Sequence, residues 1–139
     1  MAKALLDTDI LSEVLKGKDQ TVVSHATLYL LAGHRLPTST ITVMEIVKGF
    51  HKIGRQDRIR QFMSGLPSLD LYTLDPQSAE LAGRIYADLE RSGQPIGLAD
   101  PMIAAIAIHN GLTLVTGNLS HYQRIQSLGY GLGLENWRV

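Results

Sequence analysis

Residues 100–118 read DPMIAAIAIHNGLTLVTGN, and this run decides the fold class. Asp100-Pro101 is a helix-start signal, an acid at the capping position followed by a proline whose missing N–H costs nothing in the first turn. MIAAIAI carries the helix and Asn110-Gly111 stops it. LTLVT (112–116) follows as a short, apolar, β-prone run and leads to Asn118. A helix that hands over to a buried strand, with another helix to follow, is the repeating unit of an α/β domain.

The same alternation continues in both directions along the chain. Beyond Asn118 a last helix is predicted over about 119–127, then a glycine-rich tail with an edge strand near 133–137. Upstream, Asp75-Pro76 repeats the start signal and opens a long helix that ends at Ser92-Gly93. Residues 68–73 read as a strand, 56–63 as a helix, 42–50 as a helix and 36–41 (LPTSTI) as β-prone. Residues 20–33 form a helix with Asp19 as its cap and Gly33 as its stop, and a shorter helix runs from Asp9 or Ile10 to about Lys16. The first strand is ALLD, residues 4–7. The expectation is one α/β domain over residues 1–139, with a mainly parallel central β-sheet flanked by helices.

With 45% hydrophobic residues in 139, the chain can bury a real core. Its formal charge of zero argues against binding nucleic acid by bulk charge, while leaving room for a local basic patch. There are no cysteines, which excludes disulfides, zinc–thiolate sites and thiol nucleophiles and is compatible with a cytoplasmic protein. MAKALLDTDI has only a short apolar run that ends in acid, unlike a signal peptide, and MIAAIAI is too short to span a bilayer, so no membrane partner is expected.

Three carboxylates sit where a predicted strand passes into a helix: Asp7 in LLDTDILSEV, Glu45 in STITVMEIVKG and Asp100 in GLADPMIAAIAIHNG. Asn118 stands in the same place after the fourth strand. In a parallel sheet the carboxyl ends of the strands share one edge, where such folds bind ligands. Two carboxylates about 4 Å apart at an effective dielectric near 20 repel by roughly 4 kcal/mol. A divalent cation with oxygen ligands is the simplest partner that makes such a cluster useful.

Each residue also has a plainer structural role open to it. Thr42-x-x-Glu45 has the form of a capping box. Asp100 can cap its helix, Asp7 or Asp9 the first helix, and Asn118 the last. Capping does not explain why the helices after strands one, two and four all begin with such groups at one edge. Asp7 is moreover set in an apolar strand end, where an unpaired charge is costly.

The runs LLDTDILSEVLKG, TSTITVMEIVKGF and IGLADPMIAAIAIHNGLTLVTGNLSHY, with the closing LENW, resemble a small PIN-domain protein of the VapC toxin type over nearly the whole chain. The resemblance implies a PIN-like fold and metal-dependent endoribonuclease activity, with Mg²⁺ or Mn²⁺ held by Asp7, Glu45 and Asp100. Asn118 would be the fourth catalytic and metal-binding residue, a neutral oxygen ligand at a position that is often Asp in relatives, and His121 takes one that is sometimes acidic. Asp9 and Thr116 would support the cluster. The implied partners are an RNA substrate (tRNA, rRNA or mRNA), a second copy of the chain and an antitoxin that blocks the acidic pocket, often with an arginine. Metal-bound water would attack phosphorus while the ion offsets phosphate charge.

Lys48, Lys52 and Arg55 fall at i, i+4 and i+7, one helical face beside Glu45, which suits phosphate contact as well as a solvated surface. The histidines show no ligand spacing, although His121 is close in sequence to Asn118. Val22, Val23, Ala26 and Leu30 form an apolar stripe suited to core or to a dimer surface, and Trp137 is expected to pack the last strand. Two other functions stand beside the nuclease reading. Asp7-Thr8-Asp9 matches the DxD start of haloacid-dehalogenase phosphohydrolases, though without a convincing lysine or late carboxylates, and a non-catalytic binding module of PIN fold would have lost its metal.

Overall fold

The computed structural model describes residues 3–139. Met1 and Ala2, part of the stretch read as unlike a signal peptide, lie outside them. The described residues build a five-stranded sheet in the order β3-β2-β1-β4-β5, with all four pairings parallel. The strands are β1 (Ala4–Leu6), β2 (Pro37–Ser39), β3 (Asp70–Tyr72), β4 (Thr113–Val115) and β5 (Leu134–Glu135). Helices α1 (Thr8–Lys16) and α2 (Gln20–Leu31) connect β1 to β2, and α3 (Thr40–Lys52) and α4 (Gln56–Ser64) connect β2 to β3. Helices α5 (Pro76–Arg91) and α6 (Ala99–His109) lead to β4, and α7 (Leu119–Ser127) leads to β5. No described helix is long and apolar enough to cross a membrane.

Alternation along the strands divides the core in two. Ala4 and Leu6 of β1 and Val115 of β4 join a cluster with Ile10, Leu11, Val22, Ile46 and Phe62 on the α1–α4 side. Leu5 and Leu114 face the other way, onto Ile85, Leu89, Ile103, Ile106 and Tyr122 of α5, α6 and α7. Both faces are thus covered, which is why the central strands β1 and β4 read as continuous apolar runs. The α6 helix is apolar almost all round because it lies in the middle of its layer; Ile103 through Ala107 are fully buried.

Several element boundaries differ from the sequence reading. The run 68–73 begins with a 3-10 turn at Leu66–Ser68, and the strand is confined to Asp70–Tyr72. Helix α3 begins at Thr40, not Thr42, because Ser39 is its cap: Ser39 Oγ accepts the Thr42 N–H at 3.1 Å. The capping box at Thr42 and Glu45 therefore does not form. Helix α6 follows α5 and a loop, so no strand precedes Asp100 as the sequence reading had it, and because α6 begins at Ala99 Asp100 lies in the first turn instead of the capping position. Asp75 does cap α5, accepting the Ser78 N–H at 2.8 Å. Helix α2 stops at Leu31, two residues short of Gly33, which turns the chain with φ +90°. The stripe on α2 is split: Val22 and Ala26 are buried, whereas Leu30 is exposed with its neighbours Leu28 and Leu31.

The order of the strands fixes where a ligand can enter. From β1 the chain moves outward through β2 to β3, then returns to place β4 on the other side of β1. The direction of winding reverses between β1 and β4, and crevices in open α/β sheets lie at the carboxyl ends of such a pair.

Candidate active site

That crevice holds an open cleft of about 510 Å³ lined by Asp7, Thr8, Asp9, Glu45, Asp100, Gly117, Asn118 and Arg138. The register places Leu6 opposite Val115, and the Asp7 N–H donates to the Val115 carbonyl at 2.9 Å. Asp7 and Thr116 therefore emerge side by side. Asp7 is the residue after β1 and the cap of α1; one carboxylate oxygen accepts the Thr8 N–H and the other the Thr116 hydroxyl, both at 2.9 Å. Thr116 Oγ1 also accepts the Asn118 N–H at 2.9 Å, so one fully buried hydroxyl ties the ends of β1 and β4 together.

Asp7 is only 6% exposed. Burial, reinforced by the nearby charges of Asp9 and Asp100, pushes its carboxyl up from 3.8 to about 6 against the opposing hydrogen bonds. A buried acid whose proton is held that tightly is a mark of functional sites. Asp9 turns a different way: its carboxylate accepts from the Ile10 N–H at 2.8 Å and the Gly117 N–H at 2.9 Å.

Glu45 reaches the cleft from the second turn of α3. Its Oε1 accepts the Thr8 hydroxyl at 2.5 Å, and Thr8 Oγ1 lies 3.2 Å from Thr42 Oγ1. The threonine read as a cap is instead buried among hydroxyls beneath Glu45. Asp100 arrives from the first turn of α6 and is held from α7: the Tyr122 hydroxyl donates to Oδ1 at 3.2 Å, and His121 Nδ1 lies 2.9 Å from Oδ2. Burial, with the charges of Asp7 and Asp100, raises the Tyr122 hydroxyl well above the ordinary tyrosine value, so it remains a proton donor. Asn118 occupies the capping position of α7 without making the cap bond; its side-chain amide meets His121 Nδ1 at 2.8 Å. One ring nitrogen cannot both donate to Asp100 and accept from the amide nitrogen. Asp100 and the Asn118 amide thus compete for the same ring nitrogen.

The structure thus brings together Asp7, Glu45, Asp100 and Asn118, with Asp9 and Thr116 beside them. No three His, Asp or Glu side chains among the described residues already converge tightly enough to grip an ion. The oxygen-rich donor set nevertheless suits a hard divalent cation. Thr8, Gly117 and Arg138 line the cleft outside the sequence assignment, and His121 and Tyr122, also outside it, hold Asp100 from α7. His121 sits one turn into α7, so only its closeness to Asn118 hinted at it. Arg138 comes in from the closing arm with no local signal at all.

The basic face is corrected. Lys48 and Lys52 are exposed on α3 downstream of Glu45, but α3 ends at Lys52 and Gly54 turns the chain with φ +72°. Arg55 therefore leaves the face and forks onto Asp57, with both contacts at 3.0 Å. That pair is exposed and holds Asp57 at about 2.

Comparison with known proteins agrees with this geometry. The PIN domain family matches residues 4–125. A tRNA(fMet)-specific endonuclease VapC of Salmonella typhimurium is 34% identical over 138 residues, covering 99% of each chain. Ribonuclease VapC2 of Haemophilus influenzae is also 34% identical, with 99% of each covered. Among solved structures, DNA-bound VapBC from Salmonella typhimurium superposes with a TM-score of 0.82 at 33% identity over 99% of each chain. A parallel sheet whose switch point gathers carboxylates from β1, α3 and α6, together with this likeness over the full length, shows that the chain belongs to the PIN-domain family, among the VapC ribonucleases.

Proposed function

We propose that this chain is the toxin of a toxin–antitoxin pair and an endoribonuclease that depends on Mg²⁺ or Mn²⁺. The observation that carries the reading is the gathering of Asp7, Glu45 and Asp100 from three distant segments at one switch point, with the Asp7 proton held to about 6. Like charges in this number at a buried edge cost stability unless a cation offsets them.

Asp7, Glu45 and Asp100 would hold the ion, with the Asn118 amide oxygen as a neutral fourth donor. When bound, the ion would make a water more acidic and offset charge on the phosphate. The chain's own groups prepare the site. Thr116 and the Thr8 N–H fix both oxygens of Asp7, Thr8 orients Glu45, and Tyr122 with His121 orients Asp100. Asp9 braces the Gly117 turn through its backbone N–H. Lys48 and Lys52 provide positive charge along the same helix as Glu45 and would meet flanking phosphates.

The printed names of the relatives supply the first substrate and partner to test. One relative is by its name a tRNA(fMet)-specific endonuclease, and the solved neighbour is a DNA-bound VapBC. We take RNA, with tRNA first, as the substrate, and an antitoxin and a second copy of this chain as protein partners. The purified protein incubated with total tRNA should give discrete cuts in Mg²⁺ or Mn²⁺ and none in EDTA. Equal cleavage in EDTA, with contaminating nuclease excluded, would overturn the metal mechanism.

A further inference from the structure

The cleft sets four carboxylates, Asp7, Asp9, Glu45 and Asp100, against one lining cation, Arg138. Any phosphodiester that enters meets that negative field. The arm that carries Arg138 is fixed on both sides of it, downstream by the Val139 carbonyl, which lies 3.1 Å from His25 Nε2. Upstream, Glu135 pairs with Val115 in the sheet, and the Thr116 N–H donates to the Glu135 carbonyl at 2.9 Å. Trp137 is buried in the α1–α4 core, stacked on His25 with ring centroids 5.6 Å apart. The Arg138 N–H donates to Asn136 Oδ1 at 2.9 Å. The backbone is therefore placed, and the guanidinium is delivered to the cleft mouth at 38% exposure.

Its present partners hold it loosely. Nη1 lies 3.6 Å from Asp9 and Nη2 3.8 Å from Glu13, both longer than the roughly 2.7–2.9 Å of a charge-assisted hydrogen bond. A planar fork with donors to spare suits a phosphate, which accepts two parallel N–H bonds. Gly117, with no side chain, leaves room for the guanidinium in this position. A Cβ there would collide with Arg138 Nη1 and lie 2.8 Å from Asp9 Oδ2, although Gly117 itself has no left-handed backbone that would call for glycine.

We infer that Arg138 is a substrate-binding residue of the active site, donating to a non-bridging oxygen of an RNA phosphate at the mouth of the acidic cleft. The inference rests on the nuclease reading above, which the acids carry. Arg138 adds the positive charge that the acids lack before any ion is present.

The test uses binding and cleavage separately. A short fluorescent single-stranded RNA is titrated against wild type, Arg138→Gln and Arg138→Lys in EDTA over a range of salt. Cleavage of total tRNA is then followed in Mg²⁺, and Mg²⁺ affinity is measured without RNA. Arg138→Gln should lower the slope of log affinity against log salt by about 0.7, the contribution of one single-strand phosphate contact. Arg138→Lys should keep the slope but cut more slowly than wild type, because it lacks the fork. Mg²⁺ affinity should not fall in either variant. An unchanged slope in Arg138→Gln would overturn the inference. So would an unchanged slope with raised Mg²⁺ affinity, which would mean that Arg138 only offsets Asp9 and Glu13. If wild type binds RNA but does not cut it in Mg²⁺, the nuclease reading fails while the slope still decides Arg138.

Discussion

Asp7 concentrates the cost of this site in one side chain. Its carboxyl is raised from 3.8 to about 6, first by burial and then by Asp9. An acid raised on folding binds more protons in the native state than in the unfolded state between those values, so stability falls as pH rises through that window. A shift of about two units corresponds to roughly 3 kcal/mol. The metal-free Asp7→Asn variant should therefore match wild type near pH 4 and exceed it by up to about 3 kcal/mol above pH 7. Urea unfolding at several pH values in EDTA measures this, and a difference that does not grow with pH would show that burial there carries no such cost. At this scale the sequence was informative where function follows chain position: Asp7 stands just past β1, Asn118 a short turn past β4, and Glu45 on the helix that follows β2, whereas Asp100 follows a helix and a loop and was placed by its helix-start signal alone. It was silent on Arg138, whose approach depends on how an arm far along the chain packs Trp137 under His25.

At the scale of elements, capping competed with chemistry, and the helix starts decide between them. Ser39 caps α3, so Thr42 and Glu45 are free to face Thr8 and the cleft. A three-residue spacing of Thr and Glu could not reveal this, because Ser39, Thr40 and Thr42 are all acceptable caps and only packing selects one. Ser39→Ala should cost about 1–2 kcal/mol of stability, read by thermal or urea unfolding. A cost as large from Thr40→Ala with none from Ser39→Ala would move the helix start. The helix α3 also separates Lys48 and Lys52 from Arg55, which the linear spacing had joined; the left-handed turn at Gly54 lies between them. Reversing Lys48 and Lys52 together to Glu should lower the salt slope of RNA binding by about 1.4, two single-strand contacts. Arg55→Glu should change it less, and equal effects would restore the continuous basic face.

For the whole molecule, the alternation of strands and helices was legible because the central strands β1 and β4 are short apolar runs buried on both faces and the helices carry clear start and stop signals. The strand order was not, since β4 sits beside β1 through packing of distant segments. That order gives the cleft its place, and it leaves Asp100 in the first turn of α6 with its carboxylate bonded to Tyr122 and His121 instead of capping the helix. Asp100→Asn therefore separates a structural residue from one the reaction needs. The most direct measurement sets this variant beside wild type in Mg²⁺, following tRNA cleavage with mapped ends, Mg²⁺ affinity by calorimetry and unfolding in EDTA. The expected result is a folded variant, at least as stable without metal, that has lost both metal binding and cleavage. A folded Asp100→Asn protein that still binds Mg²⁺ and cuts tRNA at the wild-type positions would contradict it.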